Sequence, residues 1–254
     1  MYVYIYDGIV NKRKNRKTLI KIEKKITDLG LNGKIVRLEG IKDTESIIKN
    51  EVRYQAKTIV AVGNDSTLKT VINAVLKQNL TASSRELPVI ALIPLEASNN
   101  LISASLGIQS PEAGCEALLS RRLKNINIAQ ANQEYFLTQA EILGNYTKIQ
   151  IEKDYSIEIK RGGEINIINL PLKKEWGDFL KIESGKKILK LLIRPPKTTR
   201  ASLISESIFS LNKLTVTKET KKIIIDNCKE IAAPATIKTT DKFLNLIVGK
   251  NRYF

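Results

Sequence analysis

The chain has 254 residues, 43% of them hydrophobic, with 42 Lys and Arg against 26 Asp and Glu, a formal charge of +16. It is long enough for one large or two modest domains and apolar enough to bury a core, and its excess of cations favours anionic partners such as nucleotides, phospholipid headgroups or nucleic acid. It contains no histidine, which excludes Ser-His and Cys-His nucleophile schemes, histidine general-base chemistry and the commonest transition-metal ligand.

In chain order, Tyr2–Val10 reads as a strand. Its apolar stretch precedes the basic cluster Lys12-Arg13-Lys14 and Arg16-Lys17, the reverse of a secretory signal, so a cytoplasmic protein is expected. Leu19, Ile22, Ile26 and Leu29 then recur at helical spacing until Gly30 ends the helix. Lys34–Leu38 is a second strand, Asp43 is placed to cap a helix through about Tyr54, and Thr58–Val62 is a short buried strand. Leu68, Val71, Ile72 and Val75 line one face of the next helix, Pro88–Leu95 is another buried strand, and Ser110-Pro111 opens a helix to about Leu123. Strands alternating with helices imply βαβ units and a parallel sheet.

The second half changes character. Glu134–Leu143, Thr147–Lys153, Tyr155–Arg161, Glu164–Leu170, Lys186–Ile193, Lys221–Ile225 and Phe243–Val248 are β-type runs, with Gly162-Gly163 a turn between two of them. The junction is placed near Asn125–Asn132, giving a parallel-sheet, Rossmann-like α/β domain over residues 1–128 and an antiparallel β domain over 129–254. No run reaches the roughly 18–20 apolar residues of a spanning helix. Cys115 and Cys228 are too few for a disulfide framework and are expected as free thiols.

In an open parallel sheet ligands bind beyond the carboxyl ends of the strands, which singles out two loops: Gly63-Asn64-Asp65-Ser66-Thr67 and Pro94–Asn100. Gly63 tolerates positive φ and Asn64 tolerates αL, as a sharp turn would need. Backbone N–H groups at the helix start, with the Ser66 and Thr67 hydroxyls, suit phosphate oxygens. Asp65 would serve a magnesium ion or an acceptor hydroxyl. Asp, Ser and Thr also cap helices well, so an ordinary helix cap is the alternative for this loop.

TIVAVGNDSTLKTVINAVL and the following PVIALIPLEASNNLISASLGI resemble the catalytic domain of diacylglycerol kinase-like lipid kinases, in which one apolar strand runs into G-G-D-G-T and another into P-x-G-T-x-N-D. The resemblance is strong over about Thr58–Ile108 and looser after Asn132. It implies a nucleotide-binding domain followed by a β-sandwich, ATP and Mg2+ as cofactors, and transfer of the γ-phosphoryl group to a lipid hydroxyl such as that of diacylglycerol. Carried over, Gly63, Asp65 and Thr67 match the first motif and Asn99 the second. Together with Asn64, Ser66 and Ser98 they form the implied nucleotide site, with Asp65 as the catalytic carboxylate.

Departures from the family are equally specific. Asn64 and Ser66 replace glycines, and Glu96, Ala97 and Asn100 replace the glycine, threonine and aspartate of the second motif. Glu96 puts a carboxylate near the polyphosphate, where like charges oppose binding. Tyr6-Asp7-Gly8 stands where the family has a glycine-rich N-P-x-S-G loop. The acidic D-D-G and D-G-E segments have only Glu183-Ser184-Gly185 and Asp226-Asn227-Cys228 as counterparts, leaving Glu183, Asp226 and Glu230 as possible replacement carboxylates. Three readings follow: a lipid kinase; a catalytically impaired homologue that binds nucleotide or anionic phospholipid; and, since NAD kinases share the G-G-D-G-T loop, a kinase of a soluble nucleotide. Nucleic acid is disfavoured by 6% aromatic content and no reading motif. Peripheral, salt-sensitive association with the inner, anionic face of a membrane is expected.

Overall fold

A computed structural model describes residues 1–8, 13–38, 44–78, 87–95, 100–144, 146–152, 155–160, 163–180, 182, 185–194, 206–217 and 222–254. Asp43, Gly162, Lys221 and the loop 96–99 therefore lie outside the described residues. The chain divides into two compact units, Met1–Ile126 with Phe243–Tyr253, and Asn127–Lys242. Sequence reading placed residues 243–254 in the second domain, whereas the last strand of the chain pairs with the parallel sheet of the first unit, Leu246 lying opposite Ile90.

The first unit is built from β1 (Tyr2–Tyr6), α1 (Arg16–Asp28), β2 (Gly33–Arg37), α2 (Thr44–Arg53), β3 (Thr58–Gly63), α3 (Asp65–Leu76), β4 (Val89–Pro94), α4 (Leu101–Ser105), α5 (Pro111–Ser120) and the start of β5 (Leu123–Ala131). Its strands run parallel in the order β2-β1-β3-β4. Every residue of β3 is buried, which is why Thr58–Val62 reads as an unbroken apolar run: a parallel strand covered on both faces has no polar side. Helix α1 buries Leu19, Ile22 and Ile26. It ends at Gly30, whose φ of +66° only glycine adopts freely, with Gly30 N donating to Thr27 O and Leu31 N to Ile26 O. On α5, Ser110 Oγ accepts from Ala113 N at 3.1 Å ahead of Pro111. That helix stops at Arg121, in αL with φ 45°, rather than at Leu123.

The second unit adds β6 (Glu134–Phe136), β7 (Gln139–Leu143), β8 (Thr147–Ile151), β9 (Tyr155–Ile159), β10 (Glu164–Ile168), α6 (Lys174–Leu180), β11 (Leu189–Arg194), β12 (Ser207–Leu211), β13 (Lys213–Val216), β14 (Lys222–Ile225), β15 (Lys229–Ile231) and β16 (Ala235–Ile247). One antiparallel sheet has the order β12-β11-β10-β7-β14-β15, and β16, β13, β8 and β9 pair antiparallel in a second. Ala140, Ile165, Leu191 and Ile223 from the first meet Ile149, Leu214, Val216 and Ile237 from the second in one core. This is the expected mixed architecture, a largely parallel α/β part and a separate antiparallel sheet.

Several details depart from sequence reading. The run Glu134–Leu143 is two strands, interrupted at Leu137-Thr138. The segment taken as a junction, Asn125–Asn132, is mostly the nine-residue strand β5. Strands β12, β13 and β15 and helices α4 and α6 were not foreseen.

Candidate functional site

β1, β3 and β4 lie side by side, so their carboxyl ends come together. Asn64 stands between β3 and α3 with φ −120° and ψ −174°, extended rather than left-handed, and caps the helix. Its Oδ1 accepts from Thr67 N at 3.1 Å, while Thr67 Oγ1 accepts from Asn64 N at 3.1 Å, a reciprocal capping box. The Thr67 hydroxyl in turn donates to Asp7 Oδ2 at 2.5 Å. The side chain of Thr67 is buried, so it ties the loop after β1 to the start of α3.

Gly63 is required for a different reason than the sequence suggested. Its φ is not positive; instead, a Cβ there would sit 2.8 Å from Thr67 Cβ and collide with Oγ1. The Gly63 carbonyl accepts from Leu95 N at 2.8 Å, which joins the third loop to the first two.

Asp65, the first residue of α3, reaches across to α4. Its Oδ2 accepts from Ile102 N at 2.7 Å and its Oδ1 from Ser103 N at 3.0 Å, while Asp65 N donates to Asn100 Oδ1 at 3.3 Å. A carboxylate at a helix N-terminus is stabilised by charge-assisted bonds and the helix dipole. Asp65 is half-buried. Ser66 is exposed beside it. Glu96, Ala97, Ser98 and Asn99 lie outside the described residues. Asp7 and Asn100 were not assigned to the nucleotide from the sequence, although Asn100 closes the second loop singled out there; the signal for Asp7 was its place immediately after an apolar parallel strand.

The sequence profile of the diacylglycerol kinase catalytic domain matches residues 2–131, more than half of the chain. The chain belongs to this family. No curated protein matches it. Among solved structures, a diacylglycerol kinase from Bacillus anthracis str. Sterne is similar at TM-score 0.73 and 14% identity, over 98% of this chain and 97% of that one. An NAD kinase from Archaeoglobus fulgidus in complex with ATP is similar at TM-score 0.58 and 12% identity, over 100% of this chain and 96% of that one. At such identities these likenesses establish the fold.

Of the carboxylates considered as replacements for the family's acidic segments, Glu183 lies outside the described residues. Asp226 is buried and accepts from Leu137 N at 3.0 Å, Thr138 N at 2.8 Å and Thr138 Oγ1 at 2.7 Å. Those bonds fasten the break between β6 and β7. Asp226 and Asn227 have φ of 49° and 53°, and Cys228 N donates to Ile225 O at 3.1 Å, as in a type I′ hairpin turn between β14 and β15. Cys228, the last residue of the stretch nearest to D-G-E, is an exposed thiol outside any disulfide. Glu230 is exposed and pairs with Lys222 Nζ at 3.1 Å. Among the described residues no group of three or more Cys, Asp or Glu is arranged to hold a metal ion.

The second unit also contains a cavity of about 710 Å³ lined by Lys173, Glu175, Trp176, Phe179, Arg194 and Glu206. Lys173 Nζ lies 4.7 Å and Arg194 Cζ 5.5 Å from the centre of the Trp176 ring. Burial disfavours the charge on Arg194, but its bonds to Glu206 and Glu164 outweigh this and raise its pKa.

Proposed function

We propose that this kinase-like chain binds ATP with Mg2+ at the carboxyl ends of β1, β3 and β4 and transfers the γ-phosphoryl group to a lipid hydroxyl such as that of diacylglycerol. The observation that carries this reading is Asp65: a half-buried carboxylate held by two backbone N–H groups at the carboxyl end of a parallel sheet, where such folds take ligands. Family membership and the ATP complex of the Archaeoglobus fulgidus NAD kinase support it.

Magnesium commonly binds through one or two carboxylates, waters and substrate phosphates, so Asp65 with the Ser66 hydroxyl beside it fits that ion. When bound, the ion supplies neutralisation of phosphate charge. The chain's own residues do the positioning. Asn64 and Thr67 hold the loop, Gly63 gives Thr67 room, and backbone N–H groups at the start of α3 with Ser66 meet phosphate oxygens. Ser98 and Asn99 are assigned to the same nucleotide by their place in the second motif. Asp65 serves the metal or the acceptor hydroxyl.

A second reading, a catalytically impaired homologue that binds nucleotide or anionic phospholipid, is favoured by Asp226 and Cys228. The carboxylate of Asp226 is committed to backbone and hydroxyl donors, and the stretch nearest to the family's D-G-E ends in a thiol. Purified protein with Mg-ATP and diacylglycerol-containing vesicles separates the two. Lipid-dependent ADP release that Asp65→Asn abolishes supports the kinase. Stabilisation by Mg-ATP in a thermal melt without turnover supports the second reading. Neither response removes the nucleotide site. Glu96→Gly is expected to tighten Mg-ATP binding by about 1 kcal/mol, the scale of a partly screened charge pair, measured by calorimetry.

A further inference from the structure

Helix α1 carries its charge in an arrangement that the fold does not need. Leu19, Ile22 and Ile26 face the core, and at 100° per residue the opposite side presents Lys17, Ile20, Lys21 and Lys24, all exposed, with Arg13 and Arg16 just before them. Arg13, Lys17, Lys21 and Lys25 follow one another at i, i+4 spacing, where like charges are destabilising. The first turn holds no acid and the N-cap Asn15 makes no side-chain cap bond, so cations crowd the end of the helix whose dipole repels them.

Arg16, Lys17, Lys21 and Lys24 make no ion pair among the described residues. The acid of the second turn, Glu23, is turned to the side and lies 4.0 Å from Arg37. Asp28, the last residue, is the other acid of the helix. In the middle of these cations Ile20 is 58% exposed. A cationic stripe without ion-pair partners among the described residues matches an anionic surface, and an apolar side chain at its centre suits a partner whose charged layer covers hydrocarbon. A nucleic acid backbone would have no use for the isoleucine.

We infer that the exposed face of α1, centred on Lys17, Ile20, Lys21 and Lys24, docks the protein on anionic lipid bilayers. The lysines supply attraction to the headgroups and Ile20 inserts at the boundary between headgroups and acyl chains. This assignment does not rest on the nucleotide reading, since it concerns a helix face and not the loops that would bind phosphate.

The test is sedimentation of the full chain with vesicles of phosphatidylcholine alone or mixed with phosphatidylglycerol, without ATP. Binding to the anionic vesicles that is absent on neutral ones is expected. Lys17→Gln, Lys21→Gln and Lys24→Gln together should weaken it about a hundredfold, at roughly fivefold per lysine near the surface. A control with Lys160, Lys213 and Lys238 changed to Gln, equally exposed and equal in charge removed, should stay within about threefold of the parent. Ile20→Ser should weaken what binding survives at higher salt, where the charges are screened. The α1 variant should melt no lower than the parent, because it removes like-charge repulsion. Equal losses in both lysine triplets would overturn the assignment and leave a diffuse charge effect. So would binding to duplex DNA that depends on the α1 lysines and competes with the vesicles while Ile20→Ser has no effect.

Discussion

Gly63 and Thr67 are coupled by a missing methyl group. Because a Cβ at position 63 would drive into the Thr67 side chain, Gly63→Ala is expected to cost about 1–3 kcal/mol, the usual price of overpacking, read as a lower urea midpoint with an unchanged slope. Asp65→Asn has a cost that the cap reading of the sequence would not give. Asn64 already caps α3, and Asp65 accepts two N–H groups from α4. An amide has one oxygen for two donors, so we expect a loss of about 1–3 kcal/mol from the unmatched N–H in addition to weaker Mg-ATP binding. The thiols divide cleanly. Cys115 is fully buried, and burial pushes its pKa up to about 11, while Cys228 is exposed. At pH 8 a thiol reagent should label Cys228 alone in the native protein and both residues after unfolding.

Elements were legible where burial was two-sided. β3 and β4 are covered on both faces, so their sequences are unbroken apolar runs that need no context. β13 alternates over four positions and β12 buries Leu211 alone of its five residues, and so short a pattern among Ser, Asn and Lys does not stand out from a loop. β5 was hidden by its amides: Asn127 is buried within the strand although its type suggests a linker. Helix α4, five residues long, gets no side-chain cap from its own N-cap Asn100; the carboxylate that holds its first N–H groups comes from Asp65, 37 residues earlier for Ile102, a relation no local pattern contains. The loop order Gly63–Thr67 was readable from the sequence, but the direction in which each side chain points was not. At the β14–β15 turn Asp226 does for β6–β7 what Asp65 does for α4. Asp226→Ala strands three buried donors, and a loss of about 3 kcal/mol or more is expected in chemical denaturation; Asp226→Asn, which keeps one acceptor and tolerates φ > 0, should lose less.

For the whole molecule, pH dependence follows from acids buried in the first unit. Burial raises Tyr4 and Tyr6 above their ordinary 10.0, and Cys115 moves from 9.0 to about 11. Each group holds its proton more tightly in the native state, so its contribution is complete below the unfolded value and is lost as pH rises toward the native one. Stability should therefore fall from about pH 9 upward, and Cys115→Ala should make the decline between pH 9 and 11 shallower in urea titrations at fixed pH. The path of the chain between its units has a different consequence. Residues 127–242 are an insertion whose two ends are held together by their host: Arg122 O accepts from Val248 N at 3.0 Å, and Asn125 Nδ2 donates to Asn245 Oδ1 at 3.1 Å, as β5 and β16 run past each other in opposite directions. Excising the insertion and closing Ile126 to Phe243 with two or three glycines would turn that pair into an ordinary β-hairpin. The first unit would keep its full sheet as one continuous chain of about half the present length, whereas cutting the protein after Ile126 would leave β4 without the strand beside it.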